Sequence, residues 1–239
     1  MWAKVSGMMN HCLQQIRPDW ISQCLGDGKG CAVVVRLEGC LCDCSGLTGL
    51  GNVLQFPLKG LGRRCLRPVA EISYEPQQSF RPVEFEAEIQ RILSQLHWKN
   101  GALWLLKSLS RQDGLHLFIV SNYPQQLVQR KIRSAALQAQ IIGSIVEYNV
   151  AAGLYETRLS MNQLQREAFV EGLRNLGRFS PVIYLGARAD DLSSLEKVTG
   201  IFVGPRAQSA GPGQFSVRNL MEANSVIRAV LEKTLKVAL

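Results

Sequence analysis

Short β-branched runs alternate with stretches of helical spacing along most of this 239-residue chain, and that alternation limits its fold more than any other feature. Strands are expected at 32–37, 115–121, 141–146, 182–186 and 200–204. Helices are expected at 83–96, 102–110, 125–137, 162–176 and 191–198. Gly114 and Pro181 punctuate the approaches to strands, and Gly186 and Gly204 end them. A strand followed by a helix and another strand closes most readily as a right-handed parallel crossover, so the predicted class is α/β, a doubly wound parallel sheet with helices on both faces. The final stretch, "SVRNLMEANSVIRAVLEKTLKVAL", places Leu220, Val226, Ile227, Val230, Leu231 and Leu235 at helical spacing, as for a helix packed back on the domain or into a partner's groove.

Two regions break the alternation. Residues 45–82 are rich in Gly, Pro and Arg, follow the first strand and form a cap-like insert that would lie over the strand carboxyl ends, where such folds bind ligands. Residues 204–215 read as an irregular loop. The expected organisation is an extension over 1–30, a domain over 31–215 with an insert at about 45–100, and a terminal helix over 216–239. The net charge of +8 implies attraction to something acidic, such as RNA, anionic lipid or an acidic protein surface. No Asp or Glu falls between Cys44 and Ala70, whereas Lys59, Arg63, Arg64 and Arg67 do. With Arg130, Lys131 and Arg133 these are the candidate partner-binding residues. No apolar run nears the length of about 20 residues that a membrane-spanning helix needs. Seven cysteines, unevenly spaced, suit a reduced intracellular compartment without disulfides. The acid-poor segment 1–18, with Lys4 and Arg17, is compatible with a mitochondrial or other organellar address, the cytoplasm being the alternative.

The stretch "PVIYLGARADDLSSLEKVTGIFVG" resembles the fourth motif of the haloacid dehalogenase superfamily of phosphohydrolases, and "GLHLFIVSNYPQQLVQRKI" resembles its second, a strand ending on Ser or Thr. The resemblance runs from about Val33 to Phe215. A weaker one, through the cap pattern and "GIFVG" before a polar loop and "QF", is to the phosphatase half of plant thiamin-phosphate phosphatases. In the superfamily the first strand ends in Asp-x-Asp-Gly-Thr, the first Asp attacking phosphorus and the second handling the leaving-group proton. Here the resemblance puts Arg36 at the nucleophile position, Glu38 at the acid/base position and Cys40 at the Thr position. Ser121 matches the second motif. Gln165, with Arg166 beside it, stands where the third motif needs Lys or Arg. In the fourth motif Ala187 replaces the leading acid, leaving Asp191 and its neighbour Asp190. A guanidinium has no lone pair for phosphorus or Mg²⁺, and its fixed charge repels the ion. The implied outcome is a degenerate site with no catalytic residue, no metal and no cofactor. Mg²⁺ would enter only in the alternative, a phosphomonoesterase with an atypical site using Glu38 and Asp191.

Other chemistry has weaker footing in the sequence. Cys40, Cys42 and Cys44 alternate, with Cys24 and Cys31 nearby, but no Cys-x-x-Cys pair appears, and small buried residues explain them better than zinc. His11, His97 and His116 support no catalytic triad. Cys40 as a nucleophile activated by Arg36 is a minor alternative, and "DGKG" at 27–30 lacks the spacing of a phosphate loop. Arg36, Ser121 and Arg166 are anion-binding candidates, since arginine recognises phosphate bidentately. Against this stands an internal role for Arg36, paired with Glu38, Asp190 or Asp191 in place of a metal, which a buried charge's need for a partner favours. The function expected is that of a pseudoenzyme, a structural or interaction subunit of a larger assembly, for which an organellar setting would fit. The alternatives are the phosphatase and a non-catalytic binder of a phosphate ligand.

Overall fold

A computed structural model of the chain describes residues 30–43, 79–187, 198–204 and 213–237, with side chains to 234. Residues 1–29 of the extension, most of the insert, residues 191–197 of the helix expected at 191–198, and the residues Lys59, Arg63, Arg64, Arg67, Asp190 and Asp191 lie outside these.

The described strands are β1 (Gly30–Arg36), β2 (Cys42–Asp43), β3 (His97–Trp98), β4 (Leu115–Pro124), β5 (Gln140–Asn149), β6 (Leu154–Leu159), β7 (Phe179–Gly186), β8 (Thr199–Val203) and β9 (Gln214–Val217). The helices are α1 (Pro82–Gln95), α2 (Ala102–Leu109), α3 (Gln125–Arg133), α4 (Gln163–Asn175) and α5 (Leu220–Val237). Seven strands form one sheet in the order β6-β5-β4-β1-β7-β8-β9, parallel except for β5 with β6. The predicted α/β class with a parallel sheet is what the structure has.

β1 is central, and its sequence explains why. A strand covered on both faces needs an unbroken apolar run, and Ala32, Val33, Val34 and Val35 have no exposed surface. Their side chains alternate between two cores. Val33 and Val35 face the core that takes in α1, α2, α3 and α5; Ala32 and Val34 face the core closed by α4. α5 buries Leu220, Ala223, Ile227 and Leu231 in the first core. Packing on the domain is thus the arrangement realised for the terminal helix.

The differences from the expectation concern the margins. β6 was not anticipated, because "LYETRL" is half-exposed along its length and has no apolar run. It pairs antiparallel with β5 in a hairpin whose turn uses Gly153 at φ +66°. Phe80 takes the other side of β6, its amide donating to Tyr155 O at 3.0 Å and its carbonyl accepting from Tyr155 N at 2.7 Å. β9 lies partly within the stretch expected to be a loop, and at four residues on a sheet edge it is too short to register as a period. α3 stops at Arg133 rather than 137, and Ala136 adopts a left-handed φ of 52° soon after. One glycine is demanded by close approach: a Cβ on Gly143 of β5 would sit 2.8 Å from Tyr123 O and 3.0 Å from Gln125 Cα, at the corner where β4 turns into α3.

Candidate functional site

The carboxyl end of β1 runs into a tight loop. Leu37 N donates to Val120 O at 2.9 Å, keeping the loop on β4, and Leu37 O accepts from Leu41 N at 3.1 Å and Cys42 N at 2.9 Å. Gly39 allows the turn with φ +70°. Lys99 fastens it from outside, its amide donating to Leu41 O at 2.8 Å and its ammonium to Gly39 O. Glu38 is therefore held on a short, closed segment.

The Glu38 carboxylate points at the end of β4. Its Oε1 accepts from Ser121 Oγ at 2.5 Å and from the Asn122 backbone N–H at 2.7 Å, and its Oε2 lies 3.8 Å from Arg36 Nε. The Tyr123 N–H donates to Ser121 Oγ at 3.1 Å, which leaves the hydroxyl hydrogen for Glu38. Asn122 carries the network onward, its Oδ1 accepting from Arg166 of α4 and its carbonyl accepting from Ser144 Oγ at 2.6 Å. Ser144 Oγ in turn accepts from Met161 N at 3.0 Å. Arg36 is 4% exposed, Ser121 0% and Arg166 2%, so these charges and donors are removed from water and need partners within the protein.

The sequence candidates thus divide. Arg36, Glu38 and Ser121 meet directly, and Arg166 joins through Asn122. Ala187 borders the β1 loop: a Cβ on Gly39 would lie 3.3 Å from the Ala187 Cβ. Gln165 is buried in the first turn of α4, its backbone N–H donating to Oδ1 of the capping Asn162 at 3.2 Å. Cys40 and Cys42 belong to the apolar core, with no exposed surface. Cys31 sits at the opposite end of β1, where burial raises its thiol pKa. Among the described residues no group of three or more His, Cys, Asp or Glu is arranged to hold a metal ion. Asn122, Ser144 and Lys99 were missed. The only sequence signal for Asn122 was its place directly after Ser121, at the end of an apolar run.

Hydrolases are among the solved structures it resembles. A phosphoserine phosphatase in its apo form is 12% identical, with a TM-score of 0.48 over 82% of this chain and 98% of that one. The putative HAD-hydrolase YfnB from Bacillus subtilis, bound to magnesium, is 12% identical, with a TM-score of 0.48 over 84% and 99%. A HAD-superfamily hydrolase from Geobacter sulfurreducens is 14% identical, with a TM-score of 0.47 over 85% and 99%. At such identities and scores the likeness concerns the course of the chain and transfers neither site nor activity. No protein-family model matches the sequence, and no curated protein matches it significantly.

The basic residues of α3 have separate roles. Arg130 makes a bidentate pair with Glu86 of α1, at 2.5 and 2.8 Å, and Lys131 donates to Leu96 O and lies 5.2 Å from the Trp98 ring centroid. Arg133 is exposed. Two of the three cations are therefore engaged in holding α3 to α1 and to the strand after it. The Arg130 hydrogen bonds, helped by Gln90, bring the Glu86 pKa down to about 2. A carboxyl depressed in the folded state stabilises it above the ordinary carboxylate pKa and loses that contribution as pH falls toward about 2. NMR titration of Glu86 is expected to show this low midpoint, and Arg130→Ala is expected to return it toward the ordinary value; an unchanged midpoint in the variant would refute the pairing.

Proposed function

We propose that the chain is a non-catalytic protein built on an α/β fold like that of the haloacid dehalogenases, serving as a structural or interaction subunit of a larger assembly. The observation that carries this reading is the state of the β1 terminus. In the motif resemblance this is where a nucleophilic carboxylate stands, and here a buried arginine occupies it beside a glutamate already engaged by Ser121 and Asn122. Phosphoryl transfer by the superfamily's route needs an acid to attack phosphorus and oxygen ligands to hold Mg²⁺. A guanidinium supplies neither. With catalysis absent, what remains is a folded scaffold with a net charge of +8, suited to acidic protein or ribonucleoprotein neighbours. Arg133 offers one exposed cation for such contacts, and the basic residues Lys59, Arg63, Arg64 and Arg67 are the other candidates. An organellar setting fits the acid-poor segment 1–18.

Two measurements on the natural protein test the proposal together. Sedimentation of extract is expected to show the protein far above its 26.5 kDa mass, and a shift after ribonuclease would make the assembly a ribonucleoprotein. Purified protein with Mg²⁺ is expected to leave p-nitrophenyl phosphate unhydrolysed. Migration as a monomer would overturn the subunit role. Turnover that requires Mg²⁺ and disappears in Asp191→Asn would overturn inactivity and establish the phosphatase alternative.

A further inference from the structure

One flank of α3 is unlike the others. Elsewhere on this helix the polar side chains are engaged: Gln126 Nε2 donates to Val146 O at 2.7 Å, Arg130 pairs with Glu86, and Lys131 donates to Leu96 O. Gln125, Gln129 and Arg133 instead line an open groove of about 350 Å³, joined there by Gln138. Among the described residues these four side chains form no hydrogen bond or ion pair. The groove also has an apolar lining, made in part by the buried Ile132 and the half-buried Leu137 and Ile141. Both of its ends are set by the backbone. α3 approaches β5 so closely that a Cβ on Gly143 would sit 3.0 Å from Gln125 Cα, and at the other end Ala136 turns the chain with φ 52° so that Leu137 N donates to Ile132 O at 3.4 Å.

We infer that this groove binds an extended segment of a partner protein, with an acidic side chain of that segment against Arg133 and an apolar one on the lining. The inference rests on the interaction role proposed above and names the kind of partner. Gln125, Gln129 and Arg133 stand four residues apart on α3, so they repeat every 6 Å or so along its axis. Alternate residues of an extended chain repeat at roughly 6.6 Å, close enough for long side chains to stay in step over three positions. Each glutamine amide both donates and accepts, as a peptide group does, and a guanidinium suits a carboxylate. The charge agrees, since no Asp or Glu lines the groove and none occurs between Asp113 and Glu147 in the sequence. Single-stranded RNA fits less well, because it is held by aromatic faces and several cations, whereas this groove is lined by no aromatic residue and one cation.

The test is selection of a displayed library of random linear peptides on the purified chain, followed by titration of the synthesised winners. The winners are expected to share an acidic residue close to an apolar one, and to move the side-chain amide resonances of Gln125, Gln129 and Gln138 in a saturable way. Arg133→Glu is expected to weaken them by about tenfold, and to bind better when their acidic residue is changed to Lys. Gln129→Ala is expected to weaken both kinds of peptide. Because these side chains have no internal partners, both variants are expected to keep the wild-type Tm, which separates lost binding from lost folding. A library that yields no winner, winners that bind Arg133→Glu as well as wild type, or an RNA oligonucleotide that moves the same resonances where peptides do not, would each overturn the inference. Sedimentation of the natural protein separates this from the proposed role. If wild type and Arg133→Glu/Gln129→Ala enter an assembly equally, the groove fails and the subunit role stands; if wild type sediments as a monomer, the subunit role itself fails.

Discussion

Arg36→Ala is expected to lower the unfolding free energy by about 3–5 kcal/mol, the range found when one member of a buried ion pair is removed. Arg36 is 4% exposed and the Glu38 side chain 12%, with 3.8 Å between Nε and Oε2. Truncating the arginine leaves the Glu38 charge in a site with little water and two neutral donors, and it opens a void at the end of the central strand. Adding Glu38→Gln separates the two contributions. An amide keeps the size of the side chain without requiring a counter-charge, so the double variant Arg36→Ala/Glu38→Gln is expected to recover more than half of the loss. Urea unfolding of the two variants provides the measurement. A single variant within about 1 kcal/mol of wild type would place the pair in the class of solvated surface bridges and contradict its internal role.

Phe169→Ala is the second large effect. Phe169 is 1% exposed on α4, edge-on to Phe118 of β4 with ring centroids 5.6 Å apart at 67°, in the core that also holds Ala32, Val34, Met161 and Leu173. Deleting a buried phenyl ring removes its burial and its contacts and leaves a cavity the sheet cannot fill, a loss of about 3–5 kcal/mol. Leucine at this position keeps much of the apolar surface, so Phe169→Leu is expected to lose distinctly less. The consequence extends to the site, because Arg166 lies one turn before Phe169 on the same helix and reaches Asn122. The urea midpoint of Phe169→Ala and the protection of the Asn122 amide from exchange are expected to fall together. Undiminished stability would mean that α4 is not held to the sheet by this ring.

Both effects depend on relations that differ in how well the chain displays them. The central strand was readable because Ala32 to Val35 is a continuous apolar run, the pattern a strand needs when both of its faces are covered. The terminal helix was readable because Leu220, Ile227 and Leu231 repeat at its period. β6 was not, since its residues are half-exposed and its strand character comes from β5 on one side and Phe80 on the other. Arg36, Glu38 and Ser121 could be singled out through their positions relative to a motif, and the pairing of Arg36 with Glu38, two residues on, was among the partners considered for the arginine. Asn122 could not, because its contact with Glu38 is a backbone N–H, which every residue but proline carries, and its side-chain partner Arg166 lies 44 residues away.

By itself, then, the sequence determined the α/β class and the chain order of the five main strands and the helices between them, because periodicity and chain order are local properties. The tertiary structure alone decided that Glu38 would receive the hydroxyl of Ser121, 83 residues away, and the amide of Asn122. Parallel pairing of β1 with β4 aligns Arg36 with Val120 and so brings the loop after β1 to the end of β4. Register of that kind arises only when distant segments close against each other, and it directs the one acidic side chain of the loop onto donors that the rest of the fold holds ready.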